Sequence, residues 1–407
     1  MRLNTCYWGS NNVFLDPASP LTFDANNNNG EEQVSTETAS LSFTSGLSQR
    51  WISHFRAQFS RDRQQSYSNT SEVLVKIPTI LDGMGRSNLL PRQTREHRLH
   101  LAETMSHDGG RNTWKFGGDA LLSWIYDFFP SQQSGEYLFY PIKVNPFTFA
   151  PMEAGLPLSP LRAYAHEVPH YYLQNFGSAT SHPDTNEYAA FAQDTIRVTK
   201  RLAVNLGVRW DLQTFTTAGL LSNPLFPPAG KVPFQPYNFA PLAGLAYSIG
   251  DKRPLVVRAG YGIFFVCIPQ IYNSVIQTEN GITDASLFLN NTNYYNHQVF
   301  PAYPNPLVSC PLYAANCALL AGFNQGVTGT VAAFAPNFVT PRVQQANLTL
   351  EKEVTHQTTV SLSLLTVRGE HLIRALDVNL PQPIASTYPI FDSTGSIFTG
   401  GYYTEDS

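Results

Sequence analysis

Charge is scarce in this 407-residue chain. Only 14% of its residues are Asp, Glu, Lys or Arg, against roughly a quarter in soluble domains. The net charge is −4 and no basic stretch stands out, so nucleic acid is not expected as a partner. No run of about 18 apolar residues occurs, which excludes a transmembrane helix. Helical patterns rich in Ala, Leu, Lys and Glu are nearly absent. Enzyme signatures are missing as well: there is no Gly-x-Ser-x-Gly, no phosphate loop and no dinucleotide fingerprint. Asp62, Asp82 and Asp108 are loop carboxylates with no pairing suited to glycoside hydrolysis. An enzyme is therefore not expected, and no catalytic, cofactor or metal residue is assigned. The opening residues, MRLNTCYWGSNNVF, contain no apolar signal-peptide core.

Cysteine is equally sparse. Cys6, Cys267, Cys310 and Cys317 lack zinc-ligand spacing. Cys310 and Cys317 flank a short segment of a Pro-rich loop. A local disulfide in an oxidising compartment and two free thiols are both open to them. His166-Glu167-Val168-Pro169-His170 matches HExxH in letters. The zincin reading needs both histidines on one helical face, and Pro169 would break that helix. The segment is read as loop.

Aromatic residues are plentiful, at 13% with 20 Tyr and 26 Phe, and they fall into an alternating pattern. In the stretch Asn186 to Phe215, Leu202, Val204, Leu206, Val208, Trp210 and Leu212 point one way. Ala203, Asn205, Gly207, Arg209, Asp211 and Gln213 point the other. A strand sends successive side chains to opposite faces, and about ten residues suffice for a tilted strand to cross a bilayer.

Four more hairpins repeat the pattern. The first joins Thr38–Ser45 to a strand beginning at Trp51. The second runs through His107, Asp108, Gly109 and Gly110, a strong turn signal. The others are Phe239–Ile249 with Pro254–Phe265, and Arg342–Glu353 with Gln357–Val367. Turns within hairpins take three or four residues, whereas the excursions between them run to about 75. Compact soluble domains rarely hold several structureless loops of such length. A soluble β-sandwich is disfavoured for that reason and by the low charge. An outer-membrane barrel has this asymmetry, with short periplasmic turns and long extracellular loops. The fold class expected is all-β, a partial transmembrane antiparallel up-and-down barrel embedded in outer-membrane lipid. Residues 1–36 read as an irregular Asn-rich segment and residues 37–407 as the barrel domain. A short strand pair within residues 267–341 and one further strand near the end are also open.

The apolar faces are assigned to lipid. Lys115, Asp119, Arg209, Asp211 and Arg258 then line the lumen, and Trp51, Trp210, Tyr261 and Phe265 serve aromatic girdles. Loop tyrosines such as Tyr171, Tyr172, Tyr294 and Tyr295 either stack on a ligand or pack the loops together.

These hairpins resemble the barrel region of TonB-dependent outer-membrane receptors, and most closely the Oar-like group. The residues carrying the resemblance are WKFGGDALL (Trp114 to Leu122), FFPSQQSGEYLF (Phe128 to Phe139) and FAQDTIRVTKRLAVNLGVRWD (Phe191 to Asp211). They continue with Asn238 to Phe265 and Thr340 to Pro381. The resemblance implies a barrel of about 22 strands around a plug, uptake of a ligand, and the TonB complex as partner. No plug, TonB box, regulatory-like domain or aromatic-terminated last strand is found, so the chain reads as an internal piece of a receptor. The ligand class is open between a small molecule, a carbohydrate and a peptide. A non-transporting adhesive barrel and a soluble carbohydrate-binding β-protein are the alternatives.

Overall fold

The computed structural model describes residues 2–11, 23–78, 80–152, 154–251, 253–282, 284–291, 301–308, 327–328, 330–355, 357–378, 385–391 and 398–406. Cys310, Cys317, Tyr294 and Tyr295 lie outside the described residues.

One long antiparallel sheet dominates. Its path runs through β1 (Arg2–Asn11), β2 (Gly30–Gly46), β3 (Trp51–Ser68), β4 (Arg92–Asp108), β5 (Asn112–Phe128) and β6 (Thr185–Arg197). It continues through β7 (Leu202–Phe215), β8 (Asn238–Ile249), β9 (Leu255–Phe265), β10 (Arg342–Thr355) and β11 (Thr358–Glu370). The two-residue strand Thr180–Ser181 adds to β5 beyond β6. Each strand pairs with the next in sequence, so the topology is up-and-down. β1 and β11 are the two ends of the path and are not paired with each other.

All five expected hairpins are present, and their turns fall at one end. The β4–β5 turn shows the chemistry. Gly110 takes a φ of 82°, which costs a glycine little, and its N–H donates to Asp108 Oδ1 at 2.8 Å.

Side-chain alternation then fixes the faces. On the outer face of β5 stand Trp114, Phe116, Gly118, Ala120, Leu122 and Trp124. Trp114 and Trp124 are 47% and 46% exposed. Ten residues at about 3.3 Å each, tilted about 40°, span about 25 Å, the height of the apolar band on a membrane barrel. The two tryptophans therefore mark both edges of that band. Leu206 and Val208 on β7, Leu245 on β8, Leu348 on β10 and Leu362 on β11 are likewise exposed. Among the acids on the outer face, Glu103 on β4 accepts a hydrogen bond from Ser53 Oγ at 2.7 Å.

The first 36 residues differ from expectation. Arg2–Asn11 is a strand in register with β2, from Arg2 opposite Ser40 to Asn11 opposite Glu31. β2 itself begins at Gly30. Backbone pairing across the ladder organises this polar sequence where side-chain patterning gives no sign of it.

The long excursions are not structureless either. Strands Val327–Thr328, Ala285–Asn290, Tyr171–Phe176, Glu136–Leu138, Leu74–Ile77, Leu81–Met84 and Phe23–Asp24 form a seven-stranded sheet in that order. Its core holds Val75, Ile77, Tyr137, Phe139, Tyr172 and Leu287. Tyr137, Phe139 and Tyr172 have no exposed surface. Burying large aromatics contributes a few kcal/mol each, so these loops build a small domain of their own at the loop end. Of two short helices, α1 (Pro160–Ala165) packs on this core through Ala163, while α2 (Ile271–Thr278) lies against Thr180–Ser181.

Residues 372–407 form a separate compact unit. Its strands Ala385–Phe391 and Phe398–Asp406 pair antiparallel, two strands where one was expected.

Candidate functional site

The inner face of β3 to β7 carries a band of charge. Asp62 on β3 pairs with Arg98 on β4, and Arg98 Nε lies 3.6 Å from Glu96. His100 Nε2 is 3.8 Å from Asp119 Oδ2. Arg209 on β7 reaches across β6 to Asp119 Oδ1 at 3.2 Å, and its Nε holds Asp211 Oδ1 at 2.7 Å. Alternation alone brings Asp119, Arg209 and Asp211 to one face, and the structure joins them. Asp119 is midway between Trp114 and Trp124 on β5, so the cluster sits at mid-height of the apolar band. Lys115 and Arg258 share the inner face by register. Arg258 Nε lies 3.9 Å from Glu351.

Above this cluster opens a cavity with about 580 Å³ of empty space, part of it open to solvent. Asp119, Glu187, Arg209 and Asp211 line its charged side, and Phe215 and Ile268 its apolar side. Gln213 and Cys267 complete it. Three carboxylates and one guanidinium leave the lining acidic. Cys267 follows β9, beyond the spanning strands. Its surface remains exposed, yet desolvation by surrounding atoms, and then the adjacent Glu187 carboxylate, push its thiol up to about 12. Alternation places Glu187 inward once β6 is assigned. Nothing in the sequence marks Cys267.

The loop end is tied to the inner wall at three points. Gln213 hydrogen-bonds both backbone groups of Ile268. Gln277 on α2 does the same to His182, donating to its carbonyl at 3.1 Å and accepting from its N–H at 2.8 Å. Ser274 on α2 donates to Asp127 Oδ2 at 3.0 Å, and Thr94 donates to Asp127 Oδ1 at 2.9 Å. A second cavity beside α2 includes Asp127, Glu279 and Asp284. Burial raises both Glu279 and Asp284 above the usual carboxylate range.

The HExxH letters fall where α1 has ended. His166 caps the helix and stacks on Phe149 with ring centroids 4.0 Å apart. Glu167 has a φ of 58°. His170 lies instead against Tyr171, with centroids 4.2 Å apart. Tyr172 packs the loop core, and Tyr171 stands in an aromatic stack with Phe288.

An up-and-down antiparallel sheet with an apolar outer band, a charged inner wall and folded loops at one end defines a membrane β-barrel. The chain belongs to the outer membrane beta barrel domain family, whose model matches residues 3–402. It is a protein of the Gram-negative outer membrane. No curated protein matches it. Among solved structures it is similar to the outer membrane transporter YddB from Escherichia coli, at 10% identity and a TM-score of 0.49, covering 99% of this chain and 40% of that one. It is also similar to a point mutant of the ferric enterobactin receptor PfeA from Pseudomonas aeruginosa, at 11% identity and a TM-score of 0.41, covering 88% of this chain and 36% of that one. For the copper transporter OprC the values are 11% and 0.37, covering 84% of this chain and 49% of that one. The chain thus spans less than half the length of each of these proteins.

Proposed function

We propose that this chain is the barrel section of a TonB-dependent receptor that takes up a ligand across the outer membrane. The observation carrying this reading is the lumenal cavity, which opens beneath loops tied to the inner wall. A ligand captured by the loops would meet Glu187, Arg209 and Asp211 on its way inward. Arg209, held between Asp119 and Asp211, offers a fixed fork of donors. Glu187 offers acceptor oxygens. The uptake energy would come through the TonB complex.

The test is ligand retention. The full chain is expressed in the outer membrane of a host, purified in mild detergent, and its bound small molecules are identified by mass spectrometry. A compound retained by the wild type and lost from an Arg209→Ala/Glu187→Gln variant supports the reading. A compound that the variant retains equally well is not held in the lumen and leaves an adhesive or display barrel. No retained compound sinks the proposal.

A further inference from the structure

Arg63 on β3 and Arg95 on β4 stand directly opposite each other in the ladder, and both are exposed. On the same outer face the next pair toward the turns is Arg61 opposite His97. Like charges directly opposite destabilise a sheet. The neighbouring strand only partly offsets them. Glu37 on β2 lies 3.9 Å from Arg61. Glu31 accepts from Gln33 and stands opposite Tyr67, while Arg63 faces Ser35. Among the described residues Arg63 has no hydrogen bond or ion pair. Arg95 lies over the Tyr126 ring, 5.5 Å from its centroid, which orients its guanidinium without neutralising it.

The height of this patch is defined. Arg95 is in register with Tyr126 and His97 with Trp124, and Trp124 marks the loop-end edge of the apolar band. The arginines therefore sit where lipid headgroups lie, on the face turned to lipid. Guanidinium forks match phosphate oxygens in charge and geometry, and cations at a membrane surface are drawn to anionic headgroups. We propose that Arg63 and Arg95, flanked by Arg61 and His97, form a docking surface for the phosphorylated headgroup of an outer-leaflet lipid. The phosphate would sit between the two guanidiniums and relieve their repulsion. This site is outside the barrel and does not depend on what the lumen carries.

The test uses the full chain in detergent exchanged against lipid A, with bound lipid counted by native mass spectrometry. The wild type should retain lipid A through delipidation and retain dephosphorylated lipid A about tenfold less, the ratio for losing one good contact. Inorganic phosphate in excess should not displace the lipid, since the acyl chains hold it at the outer face. Arg63→Gln/Arg95→Gln should lose the preference for the phosphorylated form, and Arg63→Lys/Arg95→Lys should keep part of it. Equal retention of both lipids by the wild type would overturn the proposal whether or not the variants fold. So would displacement by free phosphate, or an unchanged preference in a folded glutamine variant.

Discussion

The side-chain amide of Gln213 holds the backbone of Ile268 in both directions. It accepts from the Ile268 N–H at 2.7 Å and donates to the Ile268 carbonyl at 2.9 Å. One side chain on β7 thereby satisfies both polar groups of a residue in the segment after β9, which crosses the mouth of the lumenal cavity. Gln213→Leu keeps the volume and removes both bonds. Leaving partly buried groups unpaired costs about 1–3 kcal/mol. The expected result is faster amide exchange at Ile268 and faster alkylation of neighbouring Cys267, with β7 protection unchanged. Unaltered exchange at Ile268 would show that the amide is not what holds the segment.

Cys267 carries its own pH signature. Its thiol is pushed up to about 12, and the thiolate is the nucleophile. Alkylation of this residue should therefore stay slow through neutral pH and rise only well above the ordinary range for thiols. Glu187→Gln removes the nearest negative charge and should shift the profile to lower pH. The measurement is peptide-resolved iodoacetamide labelling across a pH series. A profile for Cys267 matching that of a free thiol would refute the assignment.

Tyr172 organises the loop domain. Its hydroxyl donates to Gln174 and accepts from the Leu307 N–H at 3.0 Å, and burial pushes its phenol up to about 12. Tyr172→Phe keeps the ring and deletes both bonds, at a cost of about 1–3 kcal/mol. Hydrogen exchange should rise in Tyr171–Phe176 and around Leu307, while β4 and β5 keep their protection. A uniform loss of protection across the sheet would mean that the loop domain and the barrel unfold together.

The barrel was legible because alternation is a local signal. Arg209 and Asp211 differ from Val208 and Trp210 residue by residue, so the inner wall could be read from the chain. The loop domain was not. Its strands are short, such as Glu136–Leu138 and Ile142–Val144. Two of its pairings, Leu74–Ile77 with Glu136–Leu138 and Phe23–Asp24 with Leu81–Met84, are parallel and join distant segments. No periodicity within three residues can announce such a partner. β1 escaped for a related reason: its partner is settled by backbone pairing across a gap. Of the cavity, Asp119, Arg209 and Asp211 were legible, whereas Cys267 and Ile268 arrive by a loop path that pattern does not encode.

Lys76 and Glu136 form an asymmetric pair in that loop sheet. They are 2.8 Å apart, with the Glu136 side chain 3% exposed and that of Lys76 33%. Removing the buried partner leaves a lysine that can reach water. Removing the lysine strands a buried carboxylate, and breaking a buried pair in this sense costs about 3–5 kcal/mol. Lys76→Met should therefore destabilise the Leu74–Ile77 strand more than Glu136→Gln does. Exchange protection in that strand, compared between the two variants, is the check. The reverse order would show that the pair contributes through the lysine end.

His170 makes the same domain sensitive to acid. Its Nδ1 lies 2.9 Å from the Pro141 carbonyl, which can only accept, so Nδ1 carries the proton. Desolvation holds the ring below its ordinary histidine range. The sign follows from linkage: with the folded value depressed, the opened state binds a proton more readily. Stability from the neutral ring is present above the unfolded value of about 6.5 and is lost as pH falls below it. The strand Tyr171–Phe176, which begins beside His170, should lose exchange protection between about pH 7 and pH 5, after correction for intrinsic rates. His170→Gln keeps a donor and cannot titrate, so its protection should stay level over that interval. A variant that loses protection as steeply as the wild type would assign the acid sensitivity to another group.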